Sequence, residues 1–293
     1  MDGLGLGLEE TLQYLGQQQP TLAEFEHWIL ERNDGEVEPL RIERINAALS
    51  GAEYNDDLKR AIRAIEDGPP VLSPDDIAFW KEHGYVVVHD AISRADCRAA
   101  EAAVWKFLNM DPNDAETWYA PSDRGIMRQF FHHPTLRANR RSPRIHKAFS
   151  QIWGTADLWM TIDRISFNPP ERSSWKFTGP NLHWDTTLAP PVPFGVSGLI
   201  YFTDTDAEQG AFTCVPGFHR RIDRWVSELP PGADPRTQDL EALGAEPIAG
   251  RAGDLIIWHK ALPHGSRPNS ATRPRIVQYL SMYPTKGEKP IWK

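Results

Sequence analysis

The sequence predicts a mainly β domain with flanking helices, of the sandwich or jelly-roll type, behind an N-terminal helical extension. Short β-rich runs separated by proline and glycine follow one another from Leu158 to the end, which is typical of these folds. Helical periodicity dominates residues 1–72. The 25 prolines among 293 residues also disfavour a helical bundle, because proline interrupts helices.

The composition is that of a folded protein with an acidic surface. Hydrophobic residues make up 40% of the chain, and 40 acidic against 32 basic residues give a net charge of -8. This charge argues against nucleic acid or an anionic membrane as a partner. No run approaches the roughly 20 apolar residues of a membrane span, and Cys97 and Cys214 lack metal-binding spacing, which suits a reducing compartment. We therefore expect a cytoplasmic protein that acts on a small molecule, and the sequence leaves a homodimer open.

Residues 1–72 form the predicted helical extension. Apolar residues recur at helical spacing within residues 21–32, 40–49 and 58–65, and Gly68-Pro69-Pro70 ends the last pattern. Nothing in these helices is typical of a cofactor site. We expect them to add core to the protein, and a lid and a dimer surface are the alternatives.

Residues 73–285 form the predicted β domain. It opens with an N-cap at Ser73-Pro74 and a short helix, followed by the β run Tyr85–Val88 and an alanine-rich helix over residues 91–108. Further strands are predicted over residues 164–168, 182–188, 196–203, 212–215, 254–259 and 276–283, with a surface loop over residues 229–236. Residues 286–293 are predicted to be an exposed tail.

His183 and Asp185 are the first candidate metal ligands. They stand two residues apart in a predicted strand, and side chains at i and i+2 project from the same face. One more imidazole would complete the 2-His-1-carboxylate triad that holds non-haem Fe(II) and leaves positions open. Trp184, between them, is expected to face the other way and to pack.

His264 is the candidate third ligand. It follows the predicted strand 254–259 through a turn at Pro263, and strands that distant in sequence meet in a jelly roll. His259, five residues earlier, is the competing candidate for that position. The histidines His132, His133 and His219 are expected to be structural. Met127, Gln129 and Phe131, which alternate before His132, either pack or line a substrate entrance, and packing is favoured.

Arg275 is the candidate anchor for an oxoacid cosubstrate. It lies on the next predicted strand, eleven residues after His264, and a buried guanidinium binds a carboxylate through two parallel hydrogen bonds. Arg273 shares a face with Arg275 if that strand starts early, so the spacing alone leaves both arginines open.

Several motifs occur together in one order. They are Phe79-Trp80-Lys81-Glu82-His83-Gly84-Tyr85-Val86-Val87, His183-Trp184-Asp185, Glu208-Gln209-Gly210-Ala211-Phe212, Val215-Pro216-Gly217-Phe218-His219, Gly253-Asp254, His264-Gly265-Ser266 and Arg275. With these motifs, residues 73–283 resemble the phytanoyl-CoA dioxygenase family of Fe(II)- and 2-oxoglutarate-dependent oxygenases. Phe218 departs from the small hydroxyl residue that the family commonly has there, and the pattern does not cover residues 1–72.

The resemblance implies a double-stranded β-helix, the cupin-like jelly roll, with Fe(II) bound by His183, Asp185 and His264. It implies that Arg275 binds 2-oxoglutarate, that O2 is the other cosubstrate, and that a C–H bond of a small organic substrate is hydroxylated as succinate and CO2 form. Asp185 favours this outcome, because related halogenases have a small residue there. Three alternatives remain: desaturation, cyclisation or epoxidation at the same site; a non-catalytic jelly-roll binding protein; and a cupin-type isomerase or hydrolase.

Overall fold

Three antiparallel sheets organise the computed structural model, which describes residues 1–119 and 125–285. The predicted tail, residues 286–293, lies outside the described residues. Within the described part of the chain the strands are β1 (Tyr85–Val88), β2 (Met127–Arg128), β3 (Leu158–Met160), β4 (Ile165–Asn168), β5 (Val196–Tyr201), β6 (Phe212–Cys214), β7 (Glu246–Ile248), β8 (Leu255–His259), β9 (His264–Gly265), β10 (Arg275–Leu280) and β11 (Met282–Pro284).

The sheets differ in size and in the distance along the chain between paired strands. The large sheet has the strand order β1-β8-β5-β10-β4-β2, the small sheet has the order β7-β6-β9, and β11 pairs with β3. In the large sheet Val277 of β10 lies between Tyr201 of β5 and Ser166 of β4. Most of these pairings join distant segments, so the fold depends on long-range contacts.

The alternation of side chains gives the large sheet two buried faces. The outer face, with Ile200, Ile257 and Ile276, packs against helices over residues 94–108 and 143–153. The inner face, with Leu199 and Ile256, shares a second hydrophobic cluster with strands β6 and β7 of the small sheet. Strands buried on both faces are rich in apolar residues, as the sequence of β8 is.

The helices surround these sheets. They are α1 (Leu8–Gln18), α2 (Leu22–Arg32), α3 (Pro39–Ser50), α4 (Asp56–Glu66), α5 (Pro74–His83), α6 (Arg94–Leu108), α7 (Pro134–Arg140), α8 (Pro143–Trp153) and α9 (Ile222–Ser227). The predicted start of α5 is confirmed: Ser73 and Asp76 form a reciprocal capping box, and Gly84 ends the helix with φ of 78°. Within residues 1–119 and 125–285, none of the helices has the length and apolarity needed to cross a membrane.

Helices α1 to α4 lie within residues 1–72, and several polar contacts join them to the rest of the protein. Glu10 pairs with His132 at 2.5 Å, Arg44 lies 3.7 Å from Asp157, and Lys147 donates to the carbonyl of Ile65 at 3.0 Å. These helices also have their own small cluster, in which the rings of Tyr14 and Trp28 stack. The extension is therefore attached to the rest of the protein by several ion pairs and hydrogen bonds.

Two sequence predictions need correction. Residues 182–188 do not form a strand; they are an irregular segment with a single β-bridge at His183. The predicted strand 276–283 is interrupted at Ser281, so that β10 belongs to the large sheet and β11 pairs with β3. Among the described residues, 182–188 pair with a neighbouring segment only through the bridge at His183, whereas the residues before and after Ser281 pair with different strands.

Candidate metal centre

His183 and His264 face each other across the single bridge that joins their segments. The amide of His183 donates to the carbonyl of His264 at 2.9 Å, and the amide of His264 donates back at 3.0 Å. His264 begins β9, which is hydrogen-bonded to β6 of the small sheet. The backbone thus places the two imidazoles side by side, with their ring centroids 4.8 Å apart.

Gly265 permits this close approach. A Cβ atom at this position would lie 2.5 Å from the carbonyl oxygen of Asn181, a distance that real Cβ atoms essentially never show. Any larger residue would therefore push the segment that carries His183 away from β9.

The side chains of His183, Asp185 and His264 meet in one cluster. One potential ligand atom from each lies within 4.8 Å of the other two. Nε2 of His183 is 3.4 Å from Oδ1 of Asp185, and Nε2 of His264 is 3.2 Å from Oδ2. The structure brings together the three residues that the sequence singled out, although their segment is not the predicted strand.

Backbone carbonyls determine which imidazole nitrogen faces the cluster. Nδ1 of His183 donates to the carbonyl of Asn181 at 2.7 Å, and Nδ1 of His264 donates to that of Leu262 at 2.9 Å. A carbonyl only accepts, so the neutral rings carry their protons on Nδ1 and present the Nε2 lone pairs to Asp185. Two lone pairs directed at a carboxylate require a cation or a proton between them, and this arrangement suits a metal ion.

The ionisation of the cluster follows from its burial and its mutual contacts. Burial alone would raise the pKa of Asp185, but the contacts and positive charge of His183 and His264 in their protonated forms outweigh it and hold the pKa far below its usual value. Burial would lower the pKa of His183, yet the contact with Asp185 raises it. The carboxylate is therefore charged at neutral pH, as a metal ligand must be.

His259, the competing ligand candidate, lies elsewhere. It is not among the described residues that line the cavity at His264, and its ring packs 5.1 Å from Phe194 and 5.2 Å from His219. Burial, with the neighbouring His219, lowers its pKa to about 4. Its Nδ1 accepts the amide of Ala261 at 2.9 Å, so this imidazole is a neutral structural group.

Arg275 is a buried charge without a counter-ion. The residue is fully buried at the start of β10 and donates from Nη2 to the hydroxyl of Ser166 at 2.9 Å. Among the described residues, Nε and Nη1 have no hydrogen-bond partner and no carboxylate pairs with the guanidinium. A buried unpaired guanidinium is costly, and an anionic ligand would satisfy it.

Arg273 has a different environment. Its guanidinium lies 5.9 Å from the ring of Trp118, and it donates weakly to the carbonyl of Pro112 at 3.4 Å. The residue is exposed, whereas Arg275 is inside the protein. Of the two arginines that the sequence left open, Arg275 therefore has the environment of an internal anion site.

A cavity of about 580 Å³ opens beside the three clustered side chains. Its lining is rich in hydroxyl and charged side chains, among them Thr178, Ser197, Ser266, Tyr279, Ser281, Asp163, Arg164 and Glu9. Met127 also lines it, whereas packing was the favoured one of the two roles that the sequence left open. Burial raises the pKa of Asp163, whose carboxylate accepts the amide of Arg164 at 2.7 Å.

The lining of the cavity includes a residue from the N-terminal extension. Glu9 of α1 pairs with Arg164 and accepts a hydrogen bond from Gln129 at 2.9 Å. Sequence reasoning missed Glu9, Asp163 and Arg164, because charged residues in a helix or before a strand are usually solvated. The feature that identifies them as cavity residues is the long-range pairing of Glu9 with Arg164, and such a contact cannot be inferred from a single sequence.

Trp184 has the packing role expected of it. Its indole donates to the carbonyl of Ala261 at 3.0 Å, and its ring lies 6.0 Å from those of Phe218 and Trp225. Phe218 fills this cluster, which explains a large apolar residue at that position. Trp184 thereby anchors the segment that carries His183 and Asp185.

Comparison with known proteins shows the family to which the chain belongs. The family model described as phytanoyl-CoA dioxygenase (PhyH) matches residues 80–277. A Dictyostelium discoideum protein whose name assigns it to the phytanoyl-CoA dioxygenases is 25% identical, with 71% of this chain and 74% of that protein covered. An ectoine dioxygenase of Bordetella parapertussis is 24% identical with the same coverage of both chains.

Solved structures with a similar fold have lower identity. The non-heme alpha ketoglutarate dependent carbocyclase SnoK from nogalamycin biosynthesis is 21% identical with a TM-score of 0.52, covering 74% of this chain and 87% of its own. HygX from Streptomyces hygroscopicus, solved with nickel and 2-oxoglutarate bound, is 14% identical with a TM-score of 0.51, covering 74% and 88%. At these identities the likeness is one of fold.

Proposed function

The chain belongs to the phytanoyl-CoA dioxygenase family and is an Fe(II)- and 2-oxoglutarate-dependent dioxygenase, and we propose that it hydroxylates a C–H bond of a small polar substrate. In this reaction one atom of O2 enters the substrate as a hydroxyl group. The other enters succinate, as 2-oxoglutarate loses CO2. The observation that carries the proposal is the combination of the His183, Asp185 and His264 cluster with the unpaired, buried Arg275.

We assign the iron to His183, Asp185 and His264. Bound there, iron supplies the redox chemistry that activates dioxygen. The chain's own contribution is to present two Nε2 atoms and a charged carboxylate on one side, with the hydrogen bonds at Nδ1 keeping each ring in the required tautomer. Three ligands leave the other positions open to 2-oxoglutarate and dioxygen.

We assign the far carboxylate of 2-oxoglutarate to Arg275. Nε and Nη1 carry N–H donors that have no hydrogen-bond partner among the described residues, and a carboxylate would supply acceptors for them. Ser166 holds the third nitrogen and so fixes the plane of the guanidinium. Lysine would not reproduce this geometry, because its ammonium group is a point charge.

The cavity favours a small polar substrate. Its hydroxyl and charged lining offers hydrogen bonds on several sides, and the carboxylate of Asp163 accepts only a backbone amide among the described residues. We propose that Asp163 accepts a hydrogen bond from the substrate and thereby helps to orient the carbon to be oxidised. The pair of Glu9 and Arg164 forms part of the same lining.

The remaining parts of the proposal concern architecture and location. We propose that the two facing sheets form a double-stranded β-helix within residues 73–285 and that residues 1–72 are an added helical unit. Two buried, free thiols, Cys97 and Cys214, favour a cytoplasmic location. A homodimer and the absence of nucleic-acid binding stay predictions.

Anaerobic titration of the purified protein with Fe(II) and 2-oxoglutarate tests the proposal. We expect the weak visible charge-transfer band of the chelated cosubstrate, and succinate release in air with a substrate panel of small polar compounds. A hydroxylated product gains one oxygen, whereas desaturation or cyclisation removes two hydrogens, so mass spectrometry separates these outcomes. A folded, iron-loaded protein that gives no band would contradict the proposal and favour a binding protein or a cupin-type enzyme.

A further inference from the structure

Arg236 contacts the backbone on both sides of Asp185. Its Nη1 donates to the carbonyl of Trp184 at 2.7 Å, and its Nη2 donates to the carbonyl of Thr186 at 2.6 Å. Arg236 ends the proline- and glycine-rich loop of residues 229–236, about 50 residues from these carbonyls along the chain. The loop thus reaches the candidate metal ligand itself.

The segment that carries Asp185 needs such support. Its only sheet contact among the described residues is the bridge at His183, so no ladder of hydrogen bonds orients the residues that follow. Trp184 is anchored through its ring, but that contact does not fix the backbone of the next residue, Asp185, and so does not orient its carboxylate. A planar guanidinium that joins the carbonyls before and after Asp185 fixes that backbone at two points.

Arg236 is itself held in place. It stands in the short helical turn Pro235–Thr237, where the carboxylate of Asp234 accepts the amide of Arg236 at 2.9 Å. Thr237 and Gln238 donate to the carbonyl of Asp234 at 2.9 and 3.0 Å. Among the ion pairs of the described residues none involves Arg236, so no carboxylate competes with the two carbonyls for its guanidinium.

We propose that Arg236 is a positioning residue for the metal centre, which holds the carboxylate of Asp185 in the orientation required for metal binding. This inference deepens the proposed function, since it rests on Asp185 being a metal ligand. By this inference the loop of residues 229–236 supports the metal centre, although none of its side chains lines the cavity.

Cobalt titration of the full-length protein tests the inference. Co(II) serves as the probe because its visible spectrum reports both affinity and coordination geometry without turnover. We expect Arg236→Met to weaken Co(II) binding by about 10- to 100-fold, the usual effect of removing a group that orients a ligand. We expect Arg236→Lys to restore only part of this loss, since one ammonium group does not span both carbonyls as the guanidinium does.

Arg224→Met is the matched control. Arg224 lies on α9 in the same region, is exposed, and pairs only with Glu228 at 2.6 Å among the described residues. Its removal should leave Co(II) affinity and spectrum unchanged. Urea unfolding of the metal-free proteins completes the experiment: Trp184 stays anchored without Arg236, so the free energy of unfolding should change much less than the metal affinity does.

Four results would overturn the inference. They are wild-type affinity in Arg236→Met, wild-type affinity in Arg236→Lys, a metal-free stability that falls as much as the affinity, and an equal loss in Arg224→Met. If Arg236→Met does not fold, the Co(II) affinity of Arg236→Lys tests the inference, and wild-type affinity in that variant overturns it. A wild-type protein that shows the 2-oxoglutarate band while Arg236→Met binds Co(II) normally refutes only this inference; Arg236-dependent Co(II) binding without the band refutes only the proposed function.

Discussion

Two parts of the cavity lining are built in different ways, and we call them the metal end and the Glu9 end. At the metal end, His183 and Asp185 are two residues apart, and the backbone of His183 pairs directly with that of His264. At the Glu9 end, Glu9 reaches Arg164 and Gln129, which are 155 and 120 residues away along the chain, through side chains alone. The first end is fixed by backbone hydrogen bonds and a short motif, and the second by ion pairs between distant elements.

From this difference we infer that the metal end determines the reaction and that the Glu9 end determines which substrates enter. Groups that bind iron and 2-oxoglutarate need fixed distances, which backbone pairing supplies at little entropic cost. A wall held by partly exposed side chains adjusts more easily, because each such pair contributes little to stability. Substitutions at the metal end should therefore abolish the reaction, whereas those at the Glu9 end should alter which compounds enter.

Loss of a ligand should have the largest effect. In His264→Ala we expect metal affinity to fall by more than the 10- to 100-fold typical of groups that only orient a ligand, roughly 1000-fold or more, with no succinate formed. Metal titration and succinate release measure this. His27→Ala, which removes an exposed histidine that pairs with Glu31 on α2, is the control and should behave as the wild type. Retention of turnover in a folded His264→Ala protein would contradict the assignment.

Arg275→Met should weaken 2-oxoglutarate binding by at least about 30-fold, because it removes one partner of a buried charge pair worth 2 kcal/mol or more. Without 2-oxoglutarate the variant should be no less stable than the wild type, since it removes an unpaired buried charge. Isothermal titration of the iron-loaded protein and urea unfolding measure the two effects. Arg273→Ala should change the affinity by less than about twofold; a larger loss there would instead assign the cosubstrate to Arg273.

His259 allows the effect of a buried histidine on stability to be measured apart from metal binding. Burial, together with His219, lowers its pKa from 6.5 to about 4, so the unfolded chain takes up a proton in this interval that the folded protein excludes. Stability should accordingly fall as pH drops below 6.5, by at most about 2 kcal/mol at pH 5. Urea unfolding at pH 7.5 and pH 5 measures this fall.

The variant His259→Gln should make that decline shallower while metal affinity at neutral pH stays unchanged. An undiminished decline would show that other groups cause the acid sensitivity. A loss of metal binding would return His259 to the list of ligands.

Glu9→Gln should give the smallest effect on the fold. The pair with Arg164 is partly exposed, so we expect the free energy of unfolding to fall by no more than about 1 kcal/mol. The charge-transfer band with 2-oxoglutarate should be unchanged, whereas the ranking of compounds that stimulate succinate release should change. Asp163→Asn, at the same end, should alter that ranking as well; a weakened band in either variant would show that the two ends are coupled.

Local signals explain which parts of the fold were predictable. Helices α2 to α6 and strand β1 follow from apolar spacing, capping residues and β-branched runs, all of which act within a few residues. Helices α7 and α8 were not predicted, although His133-Pro134 and Ser142-Pro143 each place a capping residue before a proline at the first helical position. Helix α1 was not predicted either, although Leu8, Leu12 and Leu15 recur at helical spacing; in the structure these leucines are exposed, Leu12 to 57%.

The candidate site, like the fold, was predictable only where a local sequence signal identifies its residues. His183, Asp185 and His264 stand out by residue type and spacing, and the structure brings them together even though residues 182–188 are not a strand. Arg236, Asp163 and Glu9 did not stand out, because their meaning depends on which distant backbone or side chain they meet. Tertiary contacts, rather than local propensity, decide those positions.

The paired backbones of His183 and His264 have a consequence for how the protein acquires iron. The pair already closes a chain loop of roughly 80 residues, whose closure in a small metal-dependent domain would be driven by the metal itself. Here backbone hydrogen bonds, which need no metal, join the segments that carry the two histidines. We therefore expect the protein to stay folded when iron is removed and to bind iron again when it is restored.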